Sequence, residues 1–113
     1  MKTGTPLHIL FVCSQNKLRS PTAEAIFADV DGVMAMSAGT NHDAETPLSA
    51  DLIDWADLIV AMEKTHRSKV QKRFAKEMRA KRMTVLGILD DYDFMDPGLI
   101  ELIKGKFPRW FAA

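Results

Sequence analysis

The stretch LHILFVCSQNKLRSPTAEAIF, residues 7–27, decides the fold of this chain. It opens with a nearly continuous apolar run that is typical of a buried strand. The run ends at Cys13, the only cysteine among the 113 residues, and six positions later come Arg19, Ser20 and Pro21. A Ser-Pro pair is typical of a helix start, with a capping hydroxyl and proline in the first turn. The predicted order is therefore strand, loop, helix, with Cys13 ending the strand and Arg19 at the start of the helix.

This loop is a candidate anion site. Open α/β sheets bind their ligands beyond the carboxyl ends of the strands, where the loop N–H groups and the positive end of a helix dipole can hold phosphate. The same field, together with the guanidinium of Arg19, favours the thiolate form of Cys13. Most free cysteines are small buried hydrophobes, but the flanking strand, arginine and helix favour a reactive role here. The stretch predicts nucleophilic phosphoryl transfer.

Composition indicates one globular domain spanning residues 1–113. Apolar residues make up 47% of the chain, which excludes disorder, and the formal net charge of zero gives no bias toward nucleic acid. A single cysteine cannot form an internal disulfide, and the apolar run at 7–12 is too short for a membrane span. We therefore expect a cytoplasmic protein with no nucleic-acid or membrane partner. Residues 1–6 are expected to be a loose lead-in.

Strand-like and helix-like stretches alternate four times along the chain, which predicts a parallel sheet with helices on both faces. The first strand is expected to lie in the middle of the sheet, because its loop must sit at a switch point. No Cys/His spacing suggests a metal site, and no cofactor is expected. The remaining predicted strands are 33–37, 58–62 and 83–88, and the remaining helices are 49–56, about 63–78, and one starting near Pro97.

The loop sequence resembles the phosphate-binding loop of the low-molecular-weight protein tyrosine phosphatases, C-x5-R-S. Two later stretches, Ser37–Thr40 and Ala56–Met62, are also similar to that family, so the resemblance extends from Leu7 to about Phe107. The chain departs from the usual pattern in the loop and is shorter than typical members, which makes it most similar to a short bacterial branch. Gln15 stands where glycine is usual, and Leu18 stands where a second cysteine is often found.

The resemblance implies an α/β fold: one three-layer domain whose four-stranded parallel sheet has the order 2-1-3-4, with helices on both faces. It implies a cysteine-dependent phosphomonoester hydrolase of the protein tyrosine phosphatase kind that works through a phosphocysteine intermediate. The substrate would be a phosphorylated protein or a small aryl phosphate, and the product inorganic phosphate. Cys13 would be the nucleophile and Arg19 a second catalytic residue, with Ser37 in a supporting role. The phosphate-binding residues would be Ser14, Gln15, Asn16, Lys17, Leu18, Arg19 and Ser20, with the Ser20 hydroxyl on the thiolate and Asn16 holding the loop.

The reaction also needs a proton donor for the leaving oxygen, and that donor is generally a carboxylic acid. Four aspartates crowd the segment after the fourth strand, and Tyr92 among them could flank an aromatic leaving group. The segment Ile88–Tyr92 is similar to the family's apolar-x-Asp-Pro-Tyr pattern, which favours Asp90 as the acid and leaves Asp91 in reserve. Asp96 precedes proline and an apolar-periodic helix, a pattern typical of a helix cap.

Three other classes remain open at the level of sequence. An arsenate reductase that draws on an external thiol would share the fold and the loop. A sugar-transport phosphocarrier also places a reactive cysteine after its first strand, but its loop generally lacks the arginine, so Arg19 counts against it. A non-catalytic module that binds a phosphorylated ligand would keep the loop without turnover. The sequence leaves the physiological substrate and the oligomeric state open.

Overall fold

The structure, a computed structural model, describes residues 6–107. The loose lead-in expected over residues 1–6 therefore lies, apart from Pro6, outside the described residues. The strands are β1 (Leu7–Cys13), β2 (Val33–Gly39), β3 (Leu58–Ala61) and β4 (Arg82–Val85), and the helices are α1 (Arg19–Phe27), α2 (Ala50–Trp55), α3 (Lys64–Arg73), α4 (Ala75–Met78) and α5 (Pro97–Lys106).

The four strands form one parallel sheet with the order β2-β1-β3-β4. The predicted fold class and strand order are thereby confirmed, and β1 lies inside the sheet, paired with β2 on one side and β3 on the other. Because all four strands run in the same direction, the segments that follow β1, β3 and β4 meet at one edge of the sheet. That edge holds the candidate site.

Alternate side chains of β1 point into two separate cores, as the two-residue period of a strand requires. Ile9 and Phe11 pack with residues of α1 and α5, whereas Leu10 and Val12 pack with residues of α2, α3 and α4. All four side chains are fully buried. The continuous apolar run of β1 therefore follows from helices covering both faces of the sheet, which confirms the predicted three layers.

Two predictions about helices are corrected by the structure. The single helix expected over about 63–78 is two helices, because Phe74 leaves the helical region with φ −127° and ψ 39° and packs against the second core. Ser20 does not cap α1: the helix already begins at Arg19, its N-cap is Leu18, and no side chain caps it. The Ser20 hydroxyl turns instead toward the loop.

The fourth strand is shorter than predicted, since β4 ends at Val85 rather than at Ile88. Gly87 has φ +74°, a conformation that glycine adopts without steric cost and that interrupts regular pairing. The backbone still follows β3, because Leu86 N–H donates to Ala61 O at 2.9 Å and Ile88 N–H donates to Met62 O at 2.8 Å. This interrupted strand end carries the chain across the edge where the candidate site lies. No described helix has the length and apolarity needed to cross a bilayer.

Candidate active site

Cys13 lies at the base of the loop, where β1 ends, and only 3% of its surface is exposed. Its Sγ accepts a hydrogen bond from the Asn16 N–H at 3.3 Å and lies 2.9 Å from Ser20 Oγ. Ser20 Oγ in turn accepts from Asn16 Nδ2 at 3.0 Å, which leaves the Ser20 proton free to point at the sulfur. The sulfur thus faces two hydrogen-bond donors. The expected contact of Ser20 with the sulfur is present.

Asn16 shapes the turn of the loop. Its φ of +60° lies in the left-handed region, which asparagine tolerates better than most residues because its short polar side chain bonds locally. Its side chain is 5% exposed and its amide holds Ser20. Asn16 was expected to hold the loop, and its side chain makes a hydrogen bond to Ser20 within the loop.

Arg19 connects the loop to the ends of two other strands, and it is only 3% exposed. Its Nη1 donates to the Glu63 carboxylate, which follows β3, and to Ile88 O at 2.8 Å, which follows β4. Its Nε lies 3.7 Å from Asp90 Oδ1. A buried guanidinium needs such partners, since an unpaired buried charge is costly. Nη1 is thus held by the segments after two other strands, whereas Nε faces the Asp90 carboxylate.

A pocket of about 160 Å³ brings the predicted catalytic residues together. Asp90 stands at its mouth with a side chain that is 62% exposed, while Cys13 and Arg19 lie inside. The rest of its lining comes from the loop itself: Ser14, Gln15, Lys17 and Leu18. Of the predicted phosphate-binding residues, Asn16 and Ser20 are absent from this lining and hold the loop from behind.

The other candidates after β4 lie outside this pocket. Asp96 caps α5, its Oδ1 accepting from Gly98 N–H at 2.7 Å, as the sequence predicted. Asp91 is exposed, and Tyr92 is half-buried and packs against the α1/α5 core rather than lining the pocket. Among the aspartates of this segment, Asp90 is the one in the pocket lining.

Ser37 lies in an adjoining depression and not in the phosphate pocket. It is 7% exposed, and its hydroxyl donates to the Glu24 carboxylate. The depression has a volume of about 570 Å³, and Lys17 lines both it and the smaller pocket. Ser37 therefore supports the wall next to the candidate site.

The segment after β2 closes the loop from one side. Asn41 N–H donates to Ser14 O at 3.0 Å, and Glu45 N–H donates to Gln15 O at 2.9 Å. Gly39 permits this approach: a Cβ at that position would lie 2.4 Å from Ser14 O and 2.5 Å from the Cβ of Ala44. Only glycine fits where β2 meets the loop.

Two residues of the site were missed by the sequence reasoning. Glu63, after β3, binds Arg19, and His66, which is 1% exposed, places its Nε2 2.9 Å from Ser14 Oγ. The two form a capping box at the start of α3, in which His66 Nδ1 accepts from the Glu63 N–H at 3.0 Å. The spacing E-x-x-H directly after an apolar strand resembles a capping box and could have revealed them.

The pKa of His66 is lowered from 6.5 to about 4, first by burial and then by the nearby Arg19 guanidinium. Lys69 lowers the pKa further, while Glu63 and Asp90 oppose the shift. The imidazole is therefore neutral near pH 7 and can act as both a donor and an acceptor.

Comparison with known proteins adds to this geometry. The sequence profile of the low molecular weight phosphotyrosine protein phosphatases matches residues 8–49. A protein-arginine-phosphatase of Geobacillus stearothermophilus is 30% identical over 127 residues, which covers 88% of this chain and 85% of the relative. Another from Bacillus subtilis is 30% identical over 97 residues, covering 62% of this chain and 65% of the relative.

Solved structures show the same fold. The YwlE arginine phosphatase from Geobacillus stearothermophilus superposes with a TM-score of 0.71 at 24% identity, covering 88% of this chain and 89% of that one. The tyrosine phosphatase Wzb from Escherichia coli K30 gives a TM-score of 0.69 at 24% identity, covering 91% and 94%. The named relatives are phosphatases, which supports cysteine-based phosphatase chemistry at this site. On its fold, its loop and its similarity along most of its length, this chain belongs to the low molecular weight phosphotyrosine protein phosphatase family.

Proposed function

We propose that this protein is a protein phosphatase that hydrolyses phosphotyrosine through a phosphocysteine intermediate. The observation that carries the proposal is the pocket that holds the Cys13 sulfur and the Arg19 guanidinium together, with Asp90 at its mouth. A nucleophile, a planar pair of donors and a carboxylic acid are the groups that this hydrolysis requires.

In the first half of the reaction, the Cys13 thiolate attacks phosphorus in line with the bond to the leaving oxygen. The S–P bond forms as the P–O bond breaks, and Asp90 gives its proton to the departing oxygen. Arg19 Nη1 is occupied by Glu63 and Ile88, so the Nε and Nη2 donors bind two equatorial oxygens. The growing negative charge is stabilised by groups already in position.

In the second half, water attacks the phosphocysteine. Ionised Asp90 takes a proton from the water as the new P–O bond forms and the S–P bond breaks. Inorganic phosphate leaves, and the Cys13 thiolate returns to its hydrogen bonds with Asn16 and Ser20. Each cycle consumes one phosphoester and one water, and the thiolate is regenerated without an external thiol.

Phosphoarginine on a protein is the second candidate substrate, because both curated relatives carry the name protein-arginine-phosphatase. Phosphotyrosine is preferred on two observations at the pocket. Lys17 lies in the pocket lining and would repel a guanidinium leaving group. Phe94, which is 52% exposed, lines the adjoining depression that shares Lys17 with the pocket, and an aromatic ring could pack there.

The test compares wild-type protein with Cys13→Ser on four substrates: p-nitrophenyl phosphate, a phosphotyrosine peptide, a phosphoarginine peptide, and arsenate with glutathione as reductant. We expect wild-type protein to hydrolyse the first two and to form an acid-stable phosphoenzyme during turnover. Cys13→Ser should lose turnover while still binding inorganic phosphate, because a hydroxyl is far less readily ionised than a thiol.

Hydrolysis that survives in Cys13→Ser would exclude the covalent mechanism. Preference for the phosphoarginine peptide would replace the tyrosine assignment but keep the mechanism. Arsenate reduction in the absence of hydrolysis would favour the reductase class, and phosphate binding without any turnover would favour a binding module.

A further inference from the structure

A chain of hydrogen bonds leads from the start of α3 into the phosphate pocket. The Glu63 N–H donates to His66 Nδ1 at 3.0 Å, and His66 Nε2 lies 2.9 Å from Ser14 Oγ. His66 is 1% exposed, so its ring is surrounded by protein atoms. Ser14 in turn lines the pocket that contains Cys13 and Arg19.

The first bond of this chain fixes the direction of the second. A backbone N–H can only donate, so Nδ1 must be the unprotonated nitrogen of the neutral ring. The ring proton is then on Nε2, which donates to Ser14 Oγ. Ser14 Oγ therefore accepts the hydrogen bond from His66 Nε2 with one of its own lone pairs. Its O–H proton is then available to another acceptor.

The acceptor for that proton is absent from the hydrogen bonds of the described residues. The Cys13 sulfur is already contacted by Ser20 Oγ and the Asn16 N–H. Ser14 Oγ shows His66 as its one side-chain partner within residues 6–107. Its proton is thus available at the wall of the pocket that contains Cys13 and Arg19.

We infer that the Ser14 hydroxyl donates a hydrogen bond to the bound phosphoryl group, and that His66 is the positioning residue that directs it. This inference rests on the proposed function, because it assumes that an oxyanion occupies the pocket. It adds a side-chain donor to the backbone N–H groups of the loop and to Arg19. It also assigns α3, through His66, a role in substrate binding.

The ring keeps this arrangement over the range in which phosphatases are assayed. Burial, Arg19 and Lys69 lower the pKa of His66 to about 4 against the opposing charges of Glu63 and Asp90. The neutral form, with Nδ1 as acceptor, therefore predominates at pH 5 and above.

The decisive variants separate the two bonds of His66. A glutamine amide reaches the position of Nε2, and an asparagine amide reaches only the position of Nδ1. His66→Gln therefore keeps a donor for Ser14, whereas His66→Asn keeps the acceptor for the Glu63 N–H and loses the donor. Ser14→Thr keeps the hydroxyl, and Ser14→Ala removes it.

The measurements are the Kd of inorganic phosphate by calorimetry, and kcat and KM on a phosphotyrosine peptide. Ser14→Ala should weaken phosphate binding about tenfold to a hundredfold, the usual effect of one hydrogen bond to a charged group. His66→Asn should approach the same loss, while Ser14→Thr and His66→Gln stay within a few-fold of wild type. The double variant Ser14→Ala/His66→Asn should bind no worse than Ser14→Ala alone.

Wild-type phosphate affinity in Ser14→Ala would overturn the donor role, and additive losses in the double variant would overturn the action of His66 through Ser14. Nitrogen-15 NMR of the His66 ring gives a readout independent of activity: protonated Nε2 is expected, and protonated Nδ1 would contradict the inference. Phosphate binding with the Ser14 dependence but without turnover would count against the proposed function alone.

Discussion

At the scale of single residues, aspartates that are close in sequence have different roles. Asp90 reaches the pocket and lies 3.7 Å from Arg19 Nε, whereas the Asp96 carboxylate is engaged by the backbone of α5. Asp91 and Asp93 are exposed, and neither lies in the pocket lining. Asp90 is the candidate acid because it lines the same pocket as the Cys13 sulfur, and the other aspartates of the segment do not.

Asp90→Asn should lower kcat on phosphotyrosine about 10²–10⁴-fold, because an amide cannot protonate the leaving oxygen. The loss on p-nitrophenyl phosphate should be much smaller, since p-nitrophenolate leaves without help. Steady-state kinetics on both substrates provide the measurement. Asp93→Asn is the matched control in the same segment and should behave as wild type.

A larger loss in Asp91→Asn than in Asp90→Asn would move the acid to the reserve position. Equal losses on both substrates in Asp90→Asn would indicate a role in binding through Arg19 rather than in proton transfer.

Predictability from sequence at this scale depended on distance along the chain. Cys13, Asn16 and Arg19 lie within seven positions, so their shared loop could be inferred from the sequence around them. Glu63 and His66 contact that loop from about fifty residues away, and only the parallel pairing of β1 with β3 brings them there. The roles of Cys13, Asn16 and Arg19 could therefore be predicted from the sequence. The contacts of Glu63 and His66 could be found only once the fold was known.

At the scale of elements, the capping signal predicted the start of α5 correctly, because Asp96 accepts from Gly98 N–H ahead of Pro97. The helix predicted over 49–56 is α2, and Ser49 caps it by accepting from Leu52 N–H. The capping signal was wrong at Ser20, because its hydroxyl contacts the Cys13 sulfur instead of the helix backbone. It also missed the break at Phe74, which depends on packing and not on local propensity.

Asp96→Ala should destabilise the protein by about 1 kcal/mol, the usual cost of losing an N-cap, and lower the Tm by roughly 4 °C. Asp96→Asn should leave the Tm nearly unchanged, since asparagine caps as well as aspartate does. Both variants should retain wild-type kcat on phosphotyrosine. Thermal denaturation followed by circular dichroism measures the Tm, and a large loss of kcat in both variants would reopen Asp96 as the acid.

At the scale of the whole molecule, alternating strands and helices predicted three layers with helices on both faces. The strand order came from the family resemblance, because periodicity alone does not say which strands are neighbours. The order places β1 between β2 and β3, so that segments from three parts of the chain surround one loop. Where these segments pack together His66 is buried, so protonation of its ring affects the free energy of unfolding.

Acidification should destabilise the fold through His66. The unfolded chain binds a proton on this residue near pH 6.5 and the folded protein only near pH 4, so between these values the unfolded state holds more protons. The stabilisation is present in full above pH 6.5 and is lost as the pH falls toward 4, on the order of 3 kcal/mol.

Urea denaturation at pH 7 and at pH 4 measures this loss. His66→Gln is the matched control, because it lacks the titrating ring but keeps the other acidic and basic groups. The difference between wild type and His66→Gln should shrink or reverse at the lower pH. An identical acid sensitivity in the two proteins would show that the histidine is not the source.

The absence of a side chain at Gly39 has a consequence for the gene. Every missense change at a glycine codon adds at least a Cβ, and here that atom would meet Ser14 O and Ala44 at distances that real Cβ atoms do not show. At Gly105, on α5, an added Cβ meets nothing within 4 Å and favours the helix. Missense changes at residue 105 therefore meet no steric obstacle at the Cβ, whereas the codon for residue 39 can change only in its silent third base.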